Sequence, residues 1–221
     1  MSQLSLRDRR TLKAIFRQLS RPVEVWAFLR EGRTNGELVE VLEDCSRLSD
    51  GLVRVRLETR ENGLSVCLAI AERPSLRIFA SGEFLPLEFV GSPTGYQFAA
   101  FVQLLVQASR GRSPLSSAAA ATIRNTQHNV LLEVGVAPTC PHSPQVVRLT
   151  QNAAMSNPGR VFARAIDVLQ HPAVMAGRID DVPSLDIAVG THARVQHTGM
   201  LSATQLTQLI REAEREARRF D

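Results

Sequence analysis

The sequence predicts a mixed α/β protein in which one order of secondary-structure elements is written twice. Three observations lead there. Apolar residues switch repeatedly between helical spacing and strand-like runs. Matching elements recur at a near-constant distance: Val23 and Val130 open two apolar strands 107 residues apart, and Phe98 and Leu206 open two buried helix faces 108 apart. Finally, 221 residues with 44% hydrophobic and 22% charged side chains suffice for a well-buried core without disulfide staples.

The first half begins with a helix whose stripe is Leu12, Ile15, Phe16 and Leu19, ended by Arg21-Pro22. Residues 22–29 read as a buried strand. Thr34-Asn35-Gly36-Glu37 offers a capping box ahead of a helix striped by Leu38, Val41, Leu42, Cys45 and Leu48. Val53-Arg54-Val55-Arg56-Leu57 alternates as a strand with one wet face. Leu64–Ile70 is a further apolar run, in which Cys67 is expected to pack as part of a strand. Leu76–Ala80 and Leu85–Val90 are strands separated at Gly82-Glu83. Ser92-Pro93 looks like a capping serine with proline at the first helical position, ahead of Phe98, Phe101, Val102 and Leu105.

The pattern then restarts. An alanine-rich helix over Pro114–Thr126 precedes an apolar strand over Asn129–Val136. A helix follows over Pro144–Met155, with Val146, Leu149, Thr150 and Ala153 on one face, and Asn157-Pro158 stops it. Val161–Val168 is a strand, Pro172–Arg178 a short helix, and Leu185, Ile187 and Val189 alternate in a strand that turns at Gly190 toward Arg194–His197. Ser202 and Gln205 cap a last helix with Leu206, Leu209, Ile210 and Ala213 on its face. Each half thus reads helix, β-α-β, two antiparallel strands and a closing helix. That order is the order of a thioredoxin fold. The expectation is two tandem thioredoxin-like folds packed as one unit, divided into residues 1–112 and 113–221.

Composition narrows the function classes. Net charge is +4, carried almost entirely by arginine, since Lys13 is the only lysine. Basic and acidic side chains interleave and aromatic residues make up 5%, so no clustered basic stripe with aromatic platforms marks a nucleic-acid partner. No apolar run approaches a membrane span, and the early charges of Met1–Arg10 do not fit a signal peptide. Three scattered cysteines fit a reducing, cytoplasmic setting rather than a disulfide scaffold. His128, His171, His192 and His197 show no metal-ligand spacing, and Trp26 reads as core.

One loop carries chemistry. Ala137-Pro138-Thr139-Cys140-Pro141-His142-Ser143-Pro144 joins a strand to a helix and places Cys140 at the helix N-terminus. Unpaired backbone N–H groups and the helix dipole stabilise an anion there. Such a setting lowers a thiol pKa below its free value of about 8.5 and favours the nucleophilic thiolate. A protonated His142 would add to the effect. About forty residues on, Asp181-Val182-Pro183-Ser184 opens a strand, where a thioredoxin fold places a cis proline facing the reactive cysteine.

From end to end the chain resembles the N-terminal region of the F component of alkyl hydroperoxide reductase, which consists of two tandem thioredoxin-like folds. The resemblance runs through Arg21-Pro22-Val23-Glu24, Leu48-Ser49-Asp50 and Gly91-Ser92-Pro93-Thr94-Gly95 in the first half. It continues through Thr139-Cys140, Pro144-Gln145-Val146-Val147, Asn157-Pro158, Ala165-Ile166-Asp167 and Val182-Pro183. It implies a dithiol carrier that passes electrons from a flavin to a peroxidase partner. The departures matter as much. Where the family has Cys-x-x-Cys, this loop is Cys140-Pro141-His142-Ser143, so the resolving thiol is a hydroxyl. Gln97 stands where the family has a proton-transferring glutamate, and Gly63-Leu64-Ser65 where the resemblance expects the first fold's proline. No Gly-x-Gly-x-x-Gly occurs before Asp221, so neither a flavin nor a nicotinamide cofactor is expected.

What remains is one-thiol chemistry: mixed disulfides, glutathione adducts or a sulfenic acid. The expected catalytic group is Cys140 with His142 and Pro183, and Pro141, Ser143 and Val182 form its binding surroundings. The expected partner is a protein thiol or disulfide, with glutathione a further candidate, and no cofactor, nucleic acid or membrane is expected. The alternative is a non-catalytic binding module that holds an extended segment in the groove beside Cys140 and Pro183. Cys45, on an apolar helix stripe, reads as a core residue in either case.

Overall fold

The computed structural model describes residues 4–31, 36–111, 113–178 and 181–219. The first half contains α1 (Leu6–Phe16), β1 (Val23–Phe28), α2 (Gly36–Leu48), β2 (Val53–Glu58), α3 (Gly63–Cys67), β3 (Ser75–Ala80), β4 (Glu83–Val90) and α4 (Tyr96–Arg110). The second contains α5 (Ser117–Arg124), β5 (Val130–Val136), α6 (Ser143–Ser156), β6 (Val161–Asp167), a 3-10 turn at Pro172–Met175, β7 (Ser184–Val189), β8 (Ala193–Thr198) and α7 (Ala203–Ala217).

All eight strands form one mixed sheet in the order β2-β1-β3-β4-β6-β5-β7-β8. Within each half the β-α-β unit gives a parallel pair and the hairpin an antiparallel one, and the two halves pair in matching register. Val23 lies opposite Ala80 as Val130 lies opposite Val189. Parallel pairing of β4 with β6 joins the halves. The protein is therefore two thioredoxin-like folds that share one sheet and one core.

Strand residues alternate between faces, and the two faces differ. Val25, Ala27, Leu76, Ile78, Leu87, Phe89, Leu132, Val134 and Ile187 lie on one face, in the main core with the buried sides of α1, α2, α4, α6 and α7. On the other face a smaller cluster of Val90, Ile166 and Met175 seats the 3-10 turn against the ends of β4 and β6. The middle of that second face is charged. One residue from each strand forms an unbroken row of register partners: Arg56, Trp26, Arg77, Glu88, Arg164, Glu133, Asp186 and Gln196.

Arg164 bridges the halves within that row, its Nε 2.8 Å from Glu88 and its Nη1 2.9 Å from Glu133. Arg178, beyond the 3-10 turn, joins Glu133 to Asp186, and Arg194 reaches Asp186 at 2.6 Å. Glu88, Glu133 and Asp186 are 3%, 4% and 1% exposed, so the carboxylates lie beneath the guanidinium groups that neutralise them. Trp26 is half-buried on this face, not in the main core. Its ring meets Phe84 edge-on at 5.5 Å and is covered by the Arg56 guanidinium.

Three local expectations need correction. Leu64–Cys67 is helical, because Asn62 and Ser65 make a reciprocal capping box that starts α3. The apolar run hid that polar cap, and Cys67 is exposed instead of packed in a strand. Second, α4 begins at Tyr96 rather than at Ser92-Pro93, since Gly91 (φ 97°) and Gly95 (φ 55°) hold the preceding loop in left-handed conformations. Third, the first half has its own cis proline. Arg73-Pro74 is cis at the start of β3, as Val182-Pro183 is at the start of β7. Of the capping box expected at Thr34-Asn35-Gly36-Glu37, Thr34 and Asn35 lie outside the described residues. The box expected at Ser202 and Gln205 is present.

Candidate functional site

Strands β1, β2, β4, β5 and β6 run in one direction, so their C-terminal ends share an edge of the sheet with the starts of β3 and β7. Cys140 sits at that edge, in the turn between β5 and α6, where its N–H donates to Ala137 O at 3.1 Å. Two residues later His142 is the N-cap of α6 and makes no side-chain cap, leaving the N–H groups of the first turn directed toward the loop. Pro141 and His142 are exposed, whereas Ser143 is completely buried. The Cys140 thiol donates to Val182 O at 3.6 Å. Val182 is half-buried and Pro183 buried, its carbonyl held by Gly199 N at 2.8 Å. The fold thus brings Ser143 and Val182 to the Cys140 sulfur, with buried Pro183 next to Val182 in the chain and Pro141 and His142 exposed to solvent.

Electrostatics favour the thiolate. Burial pushes the Cys140 pKa up, but hydrogen bonds to the sulfur from the Ser143 hydroxyl and the His142 and Ser143 N–H groups outweigh it. They also outweigh Asp181, and the net shift is downward. The Ser143 hydroxyl has no oxygen or nitrogen partner among the described residues. While the sulfur is a thiol, its own proton goes to Val182 O. Loss of that proton is favoured by the Ser143 hydroxyl and by the N–H groups of His142 and Ser143.

The other two cysteines behave differently. Cys45 is fully buried on α2, and burial, with Asp44 beside it, pushes its thiol up to about 12. Cys67 is exposed at the end of α3. The sheet order leaves three strand spacings, roughly 14 Å, between β3 and β5. Disulfide partners need Cα atoms within about 7 Å.

Gln97, on the first turn of α4, is 2% exposed and donates through Nε2 to Ala137 O at 3.4 Å, so a first-half residue buttresses the thiol loop. A neighbour that the sequence alone did not single out does more. A Cβ on Gly95 would collide with Pro138 O, and Tyr96 N donates to that same carbonyl at 3.0 Å. The paired glycines of Gly91–Gly95 were the available signal: two glycines in five residues mark a close backbone approach.

No protein-family model matches the chain. The F component of alkyl hydroperoxide reductase from Pseudomonas aeruginosa is 26% identical over 174 residues, covering 79% of this chain and 32% of that protein. The Xanthomonas campestris protein of the same name is 29% identical over 178 residues, covering 79% and 31%. The chain therefore spans about a third of the length of these curated relatives. Among solved structures, the F component of the Enterococcus faecalis alkyl hydroperoxide reductase superposes with a TM-score of 0.82 at 23% identity, over 94% of this chain and 99% of that one. A protein disulfide oxidoreductase from Aeropyrum pernix gives 0.83 at 20% identity, over 97% and 95%. In sequence and in fold, the chain is similar to the N-terminal region of the F component of alkyl hydroperoxide reductase, and its own loop reads Cys-Pro-His-Ser.

Proposed function

We propose that this protein is a thioredoxin-like thiol-exchange protein acting through Cys140 alone. The observation that carries the reading is the pairing of a partly exposed sulfur with a fully buried, otherwise unpartnered Ser143 hydroxyl at the start of α6. The Cys140 thiolate attacks one sulfur of a partner disulfide. A new S–S bond forms, the old one breaks, and the displaced partner thiolate takes up a proton. Ser143 cannot complete a second displacement, so release falls to the partner's own thiol or to a free thiol such as glutathione. His142 lies on the open side of the sulfur, with Pro141 beside it. Pro183 and Val182 form the opposite wall.

Likeness to the F component of alkyl hydroperoxide reductase supports a protein partner within peroxide reduction, and the Aeropyrum pernix structure supports disulfide chemistry on this fold. The loss of the second thiol supports the other reading, a binding module using the same groove. Timed alkylation with iodoacetamide at neutral pH, read by mass spectrometry of the native protein, separates them. Cys140 should react fastest, exposed Cys67 at an ordinary rate and Cys45 slowest. Equal rates at Cys140 and Cys67 would overturn the redox reading. Immobilised protein should also retain clients that dithiothreitol releases. Retention of the same clients by Cys140→Ser would shift the assignment to binding without chemistry.

A further inference from the structure

The repeat exposes a second site, at the opposite edge of the sheet from Cys140. In the first half, Phe79 on β3 and Phe84 on β4 are register partners on the second face, and their rings meet edge-on at 5.1 Å. In the second half, matching register puts Ala188 and Arg194 in those places. A ring pair is thus replaced by a methyl group and a guanidinium.

The space left is an open cavity of about 550 Å³, within the range of small-molecule sites. Its counterpart in the first half, bordered by Phe79, is about 280 Å³. The floor is a row of register partners, Phe162, Leu131 and Ala188, continued by Arg194. Pro86 and Arg160 stand among the walls, and among the described residues no carboxylate is part of the lining. Arg194 is anchored through one nitrogen to buried Asp186 at 2.6 Å, which orients the guanidinium while leaving other N–H donors available. Arg160 is exposed and makes no ion pair or side-chain hydrogen bond among the described residues. A cavity that lacks the ring its twin contains, with two arginines and no acid in its walls, fits a ring carrying a negative charge.

We propose that this cavity binds a small aromatic acid. Its ring occupies the space filled by Phe79 in the first half, over Ala188 and Phe162, and its anionic group pairs with Arg194 and Arg160. The seven residues of β5 separate it from the thiol loop by about 20 Å, so the site is independent of the chemistry at Cys140.

The test titrates full-length protein with 2-naphthoate, followed by calorimetry and by amide chemical shifts. Saturable binding is expected with a dissociation constant of about 1 mM or tighter. Shifts should centre on Leu131, Phe162 and Ala188. The uncharged 2-naphthalenemethanol should bind at least about tenfold more weakly. Ala188→Phe, which rebuilds the first-half arrangement, and Arg160→Glu, on the exposed rim, should each weaken naphthoate binding at least about tenfold while leaving Cys140 alkylation unchanged. No saturable binding, equal binding of the alcohol, or unaltered affinity in a folded Ala188→Phe protein would each overturn the assignment. Should Ala188→Phe not fold, unaltered affinity in Arg160→Glu does so.

Discussion

At the residue scale, the proposed chemistry turns on one hydroxyl group. Ser143 stands where the resemblance places a second, resolving thiol, yet it is buried, and its hydroxyl is among the groups that lower the Cys140 pKa. In the proposed mechanism a serine there stabilises the anion and cannot accept the disulfide. Replacing it tests that role directly. Ser143→Ala removes the hydroxyl donor but keeps the backbone N–H groups, so the alkylation midpoint of Cys140 should move up toward the ordinary cysteine range. Its rate at neutral pH should fall, with the fold unchanged by circular dichroism. A midpoint that stays put would mean that the helix N–H groups suffice. The three cysteines also show how far residue type carries a reading. The period of α2 was enough to bury Cys45, and the loop before α6 was enough to place Cys140. Cys67 was misplaced because alternation in a short apolar run cannot distinguish a strand from one capped helical turn.

At the element scale, the thiol loop is held by a helix from the other half. The start of α4 presses glycine against Pro138, and Gln97 reaches Ala137. Gly95→Ala meets two penalties, a left-handed backbone and a Cβ that collides with a carbonyl oxygen. It should cost on the order of 1–3 kcal/mol in denaturant unfolding. Because the displaced carbonyl belongs to the loop, Cys140 alkylation should change as well. Gly111→Ala, at the left-handed C-cap of the same helix, provides the control: another positive-φ glycine, but without contact with the thiol loop. If both variants alter Cys140 equally, the Gly95 contact does not position the thiol. The start of α4 was not legible in the sequence for the same reason. Ser92-Pro93 has the local signature of a helix start, but the chain must first turn through two positive-φ glycines to clear Pro138.

At the scale of the whole molecule, the two halves are coupled by a buried ionic row as well as by an apolar core. Arg164 is the pivot, since its partners Glu88 and Glu133 belong to different halves. Arg164→Met leaves buried Glu88 with only the more distant Arg77 and Glu133 with only Arg178, and should cost up to about 3–5 kcal/mol. Replacing Glu88 and Glu133 by Gln in the same protein should restore much of that loss. A loss below about 1 kcal/mol for the single change would show that the row contributes no more than exposed pairs do. The pH dependence has a definite sign. Burial raises the Glu88 pKa despite the attraction of Arg164 and Arg77. Between the ordinary carboxylate value and that raised value, the native state holds more protons than the unfolded one. Stability from this group therefore falls as pH rises through the window. Glu88→Gln should remove that component from a stability-versus-pH curve.

Hydrophobic periodicity, caps and the spacing of about 107 residues determined the mixed α/β class, the doubled order of elements and the lone thiol at a helix start. These are properties of a chain segment and its near neighbours, set by burial of one face and by local backbone chemistry. Only the tertiary structure decided which strands adjoin. That adjacency put Pro74 and Pro183 in matching places and assembled seven charged or polar side chains and Trp26 into one row. It also brought Gly95 against Pro138 and left Ala188 beside Arg194 where the first half has two rings. Most of these depend on segments tens of positions apart being brought together by strand pairing, and all of them on which strands adjoin, which periodicity along the chain does not encode.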